Sequence, residues 1–262
     1  MKTRITAAAL AVASFLLPVP LSAQSSAIGF SAAELTFGHL SGESGSLSTL
    51  DASADFAITA HHGFQLDVGV VDYGEVWFGN IAAHLYLQPS QQAKYGLFLA
   101  YSDANDTEAS TIEAGIEGIW SLTPATTLTA RAGMGRADPS EMDYIFGSIG
   151  LEQAITDQLA ITGRLAVVDA DEASTALTAT TLDLGLRYHL PSAPVSLYVG
   201  ASHSHISGTI STDETRLALG LTAAIGGPRS ARAPAATRQF APVRPLRPLL
   251  ERSMVWDFVG QR

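Results

Sequence analysis

The chain is predicted to be an all-β protein, a transmembrane antiparallel β-barrel of about twelve strands, with ten and fourteen as the neighbouring counts. Three observations predict this. Apolar and polar residues alternate with period two in twelve segments between Ser31 and Ile225. The connections between those segments alternate between compact turns and acid-rich loops. No later stretch has the length and continuity of a spanning helix, and strands in lipid must pair with one another until the sheet closes.

Residues 1–23 divide as an export signal does. Lys2 and Arg4 supply the positive start, Ile5 to Leu17 the apolar stretch, and Leu21-Ser22-Ala23 a small-residue cleavage site, so the mature chain is expected to begin near Gln24. Pro18 and Pro20 interrupt the apolar run before the roughly 18 to 20 residues that a spanning helix needs. Cysteine is absent, which removes disulfides and thiolate metal sites from the argument. Residues 24–226 suffice for one large β domain, and residues 227–262 form an Arg/Pro-rich tail. Residues 24–226 carry 23 Asp and Glu against six Lys and Arg, a net of −17, whereas residues 227–262 carry seven Arg against Glu251 and Asp257, a net of +5. An acidic body is followed by a basic tail.

The first segment opens with Ala33, Leu35 and Phe37 on one face. The second shows the pattern best: Leu50, Ala52, Ala54, Phe56 and Ile58 on one face, Asp51, Ser53, Asp55 and Thr59 on the other. A one-residue slip would exchange the faces. The alternation continues through Leu66 and Val68, Ile81 and Leu85, Leu97 and Leu99, Ile112 and Ile116, and Leu128 and Met134. It then runs through Ile145 and Ile149, Ile161 and Leu165, Leu182 to Leu186, Leu197 and Val199, and Leu217 to Ile225. The compact turns are HHG, QPSQQAK, LTPAT, ITDQ and LPSAP, with Asp157 and Lys94 as their charges. The other connections, from SGESGSLST to HISGTISTDE, hold fourteen carboxylates. Short turns belong on the periplasmic side and longer loops outside, so the acidic set is expected to face outward.

A soluble sandwich or lipocalin-like barrel would show the same alternation. Against it, a soluble exterior is normally rich in lysine and glutamate, yet Lys94 is the one lysine after the signal. Phe64, Tyr95, Trp120 and Tyr188 lie beside the short turns and Trp77 and Tyr101 beside the loops, as interfacial girdles require. Export signal, alternating strands, turn asymmetry and aromatic ends together resemble the porin-like outer-membrane β-barrel proteins of Gram-negative bacteria. The resemblance implies residence in the cell outer membrane and passive passage of small solutes. One departure is plain: such barrels usually finish on a strand with a C-terminal aromatic residue, whereas here the last strand ends at Ile225. The Met254, Trp256, Phe258 alternation is the candidate replacement.

With the polar face inward, the expected pore lining includes Asp55, Asp67, Glu113 and Glu117 on one wall and Arg131, Arg164, Arg187 and Arg216 on the other, with Asp183 breaking the division. Glu34 and Asp51 join the acidic wall. Asp55, Glu117, Arg131 and Arg164 fall near mid-strand and are expected to share a constriction whose excess of acid favours cations. The alternative is a closed structural or adhesive barrel whose facing Arg and carboxylate side chains neutralise each other, since twelve strands lie between filled and open barrels. Gly69, Gly96, Gly115, Gly133, Gly185, Gly200 and Gly220 leave room inside; Tyr86, Phe98 and Tyr198 take some of it.

Other chemistry is weakly signalled. His205-Ile206-Ser207, followed by Asp213 and Glu214, has the His-x-Ser spacing of outer-membrane lipid A deacylases, but Gly208 stands where that family has Asn. His61-His62 reads as turn chemistry, because neighbours on a strand point to opposite faces. The acidic loops lack calcium-loop spacing, so no metal or other cofactor is expected beyond loose divalent bridging to lipopolysaccharide. The expected partners are outer-membrane lipid, lipopolysaccharide and small solutes or ions, with a homo-oligomer admitted; the acidic body argues against nucleic acid. Residues 227–248 have the composition of an unfolded linker and Leu249 to Gln261 adds an amphipathic stretch. Two readings follow: a largely disordered periplasmic extension touching peptidoglycan, or a gate that enters the acidic lumen from the periplasmic mouth.

Overall fold

A computed structural model describes residues 28–250 except 75, 106–108, 140, 173, 174 and 210. The export signal and the Met254, Trp256, Phe258 stretch lie outside the described residues. Twelve antiparallel strands form a single closed barrel in which each pairs with its sequence neighbours and β1 closes on β12. They are β1 (Gly29–Gly42), β2 (Gly45–Ala57), β3 (His62–Asp72), β4 (Trp77–Ser90), β5 (Ala93–Ala104) and β6 (Ser110–Thr123). The series continues with β7 (Thr126–Asp138), β8 (Met142–Ala154), β9 (Leu159–Glu172), β10 (Thr175–His189), β11 (Val195–Gly208) and β12 (Thr212–Ile225).

The faces fall as the alternation predicts. Leu97, Ile116, Met134, Ile145 and Leu217 are each 60 % exposed or more, while their polar neighbours Glu117 and Arg216 are buried. An exterior of bare Leu, Ile and Met is stable only against hydrocarbon. That belt ends sharply at one rim, where the outward positions become His39, Ser48, Asp72, Asp103, Arg136, Asp143, Asp169 and Thr215. Strands of 11 to 15 residues exceed the roughly 9 to 11 needed to cross, so the barrel projects beyond this polar collar.

Two expectations about connections need correction. The acid-rich connections are not longer than the compact turns: both sets leave two to five residues between strands. Their carboxylates ride mostly on strand ends, because the sheet pairing runs past the membrane almost to each turn. Gly45 (φ 125°) and Gly74 (φ 95°) make two of these tight turns possible, since L side chains rarely adopt positive φ; the Asp72 carboxylate accepts the Gly74 N–H at 2.8 Å. Lys94 is likewise not a turn residue. It sits on β5, facing inward and fully buried.

The chain continues past β12, turns at Gly226 (φ 73°) and enters the barrel. Ala231 donates its N–H to the Asp157 carbonyl at 2.8 Å and Ala236 to the Gln91 carbonyl at 3.1 Å, both in turns at the end where the termini lie. A 3-10 turn at Ala235–Thr237 follows, and a single helical turn, Arg247–Leu250, closes the described path. Leu246, Leu249 and Leu250 pack with Phe78, Met142, Tyr144, Leu177 and Ile206 near the acidic end. Residues 228–250 thus run along the lumen rather than lying outside it as a periplasmic extension.

Candidate functional site

Among the described residues, the lumen brings charged side chains, polar backbone and space together. Period-two alternation and the antiparallel register decide which residues project there. Asp55 on β2 accepts a hydrogen bond from Lys94 Nζ of β5 at 2.5 Å and another from the Tyr86 hydroxyl; the ammonium also lies 3.9 Å from the Tyr86 ring centroid. Deeper in, four residues make a chain. Asp67 Oδ2 lies 3.0 Å from His84 Nε2, His84 Nδ1 meets Glu117, and Glu117 Oε2 accepts from Arg131 Nε at 2.9 Å and Nη2 at 2.6 Å. The two-pronged arginine contact fixes geometry as well as charge. Glu113 accepts from Thr111 and from the Tyr144 hydroxyl, each at 2.7 Å.

On the other wall the pairs are looser. Arg164 lies 3.7 Å from Asp183, and Arg187 3.4 Å from Glu152. Arg216 stands apart near the acidic end, pairing with Glu214 at 2.9 Å and donating to the Gly45 carbonyl at 3.0 Å. All nine expected pore-lining residues therefore face inward, but they do not form one constriction. Glu117 and Arg131 meet directly, Asp55 belongs to a separate cluster with Lys94, and Arg164 turns to Asp183.

The arginine-rich segment completes the site. Arg238 pairs with Glu152 at 2.7 Å, and its carbonyl accepts from Lys94 at 3.1 Å. Gln65 clamps Phe240 at both backbone groups, donating to its carbonyl and accepting its N–H at 2.9 Å each. The Phe240 ring stacks on His84 with centroids 5.5 Å apart and planes 11° from parallel. Arg131 donates to the Ala241 and Pro242 carbonyls at 2.6 and 3.0 Å, and Asn80 to the Val243 carbonyl at 3.3 Å. Arg244 pairs with Asp51 on β2; Arg247 reaches Asp183 at 3.3 Å and Ser202 at 3.2 Å. A segment without regular structure has its backbone carbonyls answered by wall side chains, which is what burial demands.

The inner glycines now have a use. A Cβ on Gly69 would collide with the Asp51 carboxylate and the Arg244 guanidinium, so the absent side chain is where the segment's arginine docks. Two cavities of similar size lie beside the segment. One, ≈ 240 Å³, includes Glu34, Asp51 and Asp67 in its lining; the other, ≈ 250 Å³, includes Arg131, Arg164, Arg187 and Arg238.

No family model matches the sequence, and no curated protein does. Solved structures do. The KdgM porin is 12% identical with a TM-score of 0.51, over 72% of this chain and 98% of that one. An outer membrane channel from Pseudomonas putida is 8% identical with a TM-score of 0.53, over 79% of this chain and 100% of that one. The chain has the fold of the outer-membrane porins. At such identities the likeness is one of backbone architecture, and the porin fold accounts for the apolar belt and the inward charges together.

On this porin-fold barrel, His205 and Ser207 sit on the outward face of β11 at the acidic end. His205 Nδ1 meets Asp213 Oδ1 at 2.7 Å, whereas the Ser207 hydroxyl reaches the Thr178 carbonyl at 3.5 Å. The imidazole and the hydroxyl are not hydrogen-bonded to each other, so the spacing in sequence does not become a nucleophile and base. His61 and His62 serve the β2–β3 turn, their Nδ1 atoms on the Gln88 carbonyl at 3.1 Å and the Thr59 hydroxyl at 2.9 Å. Sequence reasoning missed Gln65, His84, Lys94 and Glu152. Strict parity with inward Tyr86, Phe98 and Gly150 would have found all but Gln65 as charged lining, and Asp67 points to Gln65 in the same way.

Proposed function

We propose that the protein is a passive outer-membrane diffusion pore for small solutes, closed by residues 228–250 of its own chain and cation-preferring once they leave. The observation that carries this is the path of the segment, which enters at the end of the barrel where β12 finishes and fills the lumen over most of its height. The inner face offers it Glu34, Asp51, Asp55, Asp67, Glu113, Glu117, Glu152, Asp183 and Glu214, nine carboxylates, against Lys94, Arg131, Arg164, Arg187 and Arg216, five cations. Arg238, Arg244 and Arg247 offset most of that excess. Withdrawal of the segment restores a net negative lumen, whose field raises the local cation concentration. Lipid and lipopolysaccharide surround the belt in this reading, and ions or small solutes occupy the vacated interior.

The test is a reversible lock. The natural sequence has no cysteine, so Ala82→Cys with Val243→Cys, two residues packed in one cluster, can be joined by a short thiol-cleavable linker in the full chain. Bilayer recordings are expected to show silence while linked and openings after reduction, with a reversal potential in a KCl gradient on the cation side. A scaffold with a salt-bridged interior is favoured instead by the buried Asp55–Lys94 pair; it predicts silence in both states.

A further inference from the structure

We propose that the lodged segment is a thread that carries the chain from one face of the outer membrane to the other, so that residues 251–262 are presented on the outer surface of the cell. The inference goes beyond the pore. It needs the segment lodged, as the closed-pore reading does, but not that the pore ever opens.

The direction of the segment is the first support. Ala231 and Ala236 donate to carbonyls in the β8–β9 and β4–β5 turns, at the end where the termini lie. Arg238 then meets Glu152, two residues before the end of β8, and Lys94, the second residue of β5. Phe240 is clamped by Gln65 and stacks on His84, and Pro242 is held by Arg131. The Val243 carbonyl accepts from Asn80, four residues into β4 from the collar end. Successive residues are thus held progressively further from the point of entry. A chain without regular structure can cross the hydrocarbon only where protein answers its backbone, and Gln65, Asn80, Lys94 and Arg131 do so.

The far mouth supplies the second support. Leu246, Leu249 and Leu250 are buried in one cluster with Ala104, the last residue of β5, Met142, the first of β8, and Ala109 of the β5–β6 connection. Tyr73 and Val76 of the β3–β4 connection pack against it. The segment is therefore seated by apolar contact at the collar rim itself. The ≈ 240 and ≈ 250 Å³ cavities are both lined by Pro228 and Phe240, so that open space lies behind Leu250, not around it.

The mouth so reached is the outer one. A chain delivered by an export signal meets the outer membrane from the periplasm, and strands that cross as hairpins leave both ends of an even-stranded barrel on the side of entry. β1 begins and β12 ends at the mouth opposite Asp72, Asp103, Asp143 and Asp169. That collar faces outward, and a chain that passes it from within emerges at the cell surface.

The experiment uses the full chain, which has no cysteine of its own, with single cysteines labelled in Gram-negative cells. The probe is a maleimide on a polyethylene glycol too bulky for any porin. In intact cells Gln261→Cys is expected to label at the rate of Glu43→Cys, in the β1–β2 turn at the collar. Gln92→Cys, in the β4–β5 turn, is expected to label only after the outer membrane is permeabilised. Val243→Cys, at a completely buried position, is expected to resist even a small maleimide in permeabilised cells. If Gln261→Cys waits for permeabilisation while Glu43→Cys labels and Val243→Cys stays protected, the thread is overturned and the closed pore stands. If Gln92→Cys labels in intact cells and Glu43→Cys does not, the barrel sits the other way up and surface presentation is overturned. Rapid labelling of Val243→Cys overturns the closed-pore reading itself, and the thread with it.

Discussion

Lys94 shows most directly how the lumen is held together. It is the one lysine after the export signal, it is fully buried, and its ammonium is answered by Asp55, the Arg238 carbonyl and the Tyr86 ring. Removing it leaves Asp55 as a buried charge whose remaining partner is a hydroxyl. Lys94→Met is therefore expected to lower stability by about 3–5 kcal/mol, read from denaturant unfolding in detergent micelles. Asp55→Leu combined with Lys94→Met is expected to recover most of that loss, because no unpaired charge remains. A double variant as unstable as the single one would show that packing, not pairing, is what Lys94 supplies. The residue was within reach of the sequence, since it shares parity with inward Gly96 and Phe98, but the glutamines beside it read as turn and hid the start of β5.

Among the elements, the strands and the lodged segment differ in how they are specified. Each strand announces itself through a local period of two, and all twelve were legible because lipid outside and charge inside demand opposite chemistry on alternate residues. The segment carries no such period. Its partners, Asp51, Gln65, Asn80, Lys94, Arg131, Glu152 and Asp183, come from seven different strands, so its place depends on contacts far apart in the chain. What the sequence did carry was its charge, opposite to that of the body. The Arg244–Asp51 pair is the cleanest point at which to test the docking. Arg244→Asp sets two carboxylates against each other, and a loss of about 3 kcal/mol moves a docking equilibrium by roughly a hundredfold. The full-length variant is expected to show a much higher open probability than the parent in planar bilayers; an unchanged record would remove this pair from the closing device.

The whole molecule is a thin belt of hydrocarbon-facing side chains around a polar, filled interior. A charge placed in the middle of that belt has no partner and no water. Leu184→Arg, on the outward face of β10 where the side chain is 54 % exposed, is expected to cost about 2–4 kcal/mol in refolding into lipid bilayers. The same substitution at Thr178, outward but level with Asp169 of the polar collar, is expected to cost little. Equal effects at the two positions would contradict the placement of the belt. Sidedness could not be read from connection lengths, because pairing runs almost to every turn at both rims.

The attachment of the lodged segment has its own consequence. Five residues separate the end of β12 from the first backbone hydrogen bond to the β8–β9 turn, at Ala231. An obstruction leashed that closely meets its own aperture at a local concentration on the order of millimolar or more, whatever the abundance of the protein. In the closure proposed above, shutting is unimolecular: dilution leaves it unaltered, a neighbouring copy cannot substitute for it, and a free peptide of the same sequence competes only at comparably high dose.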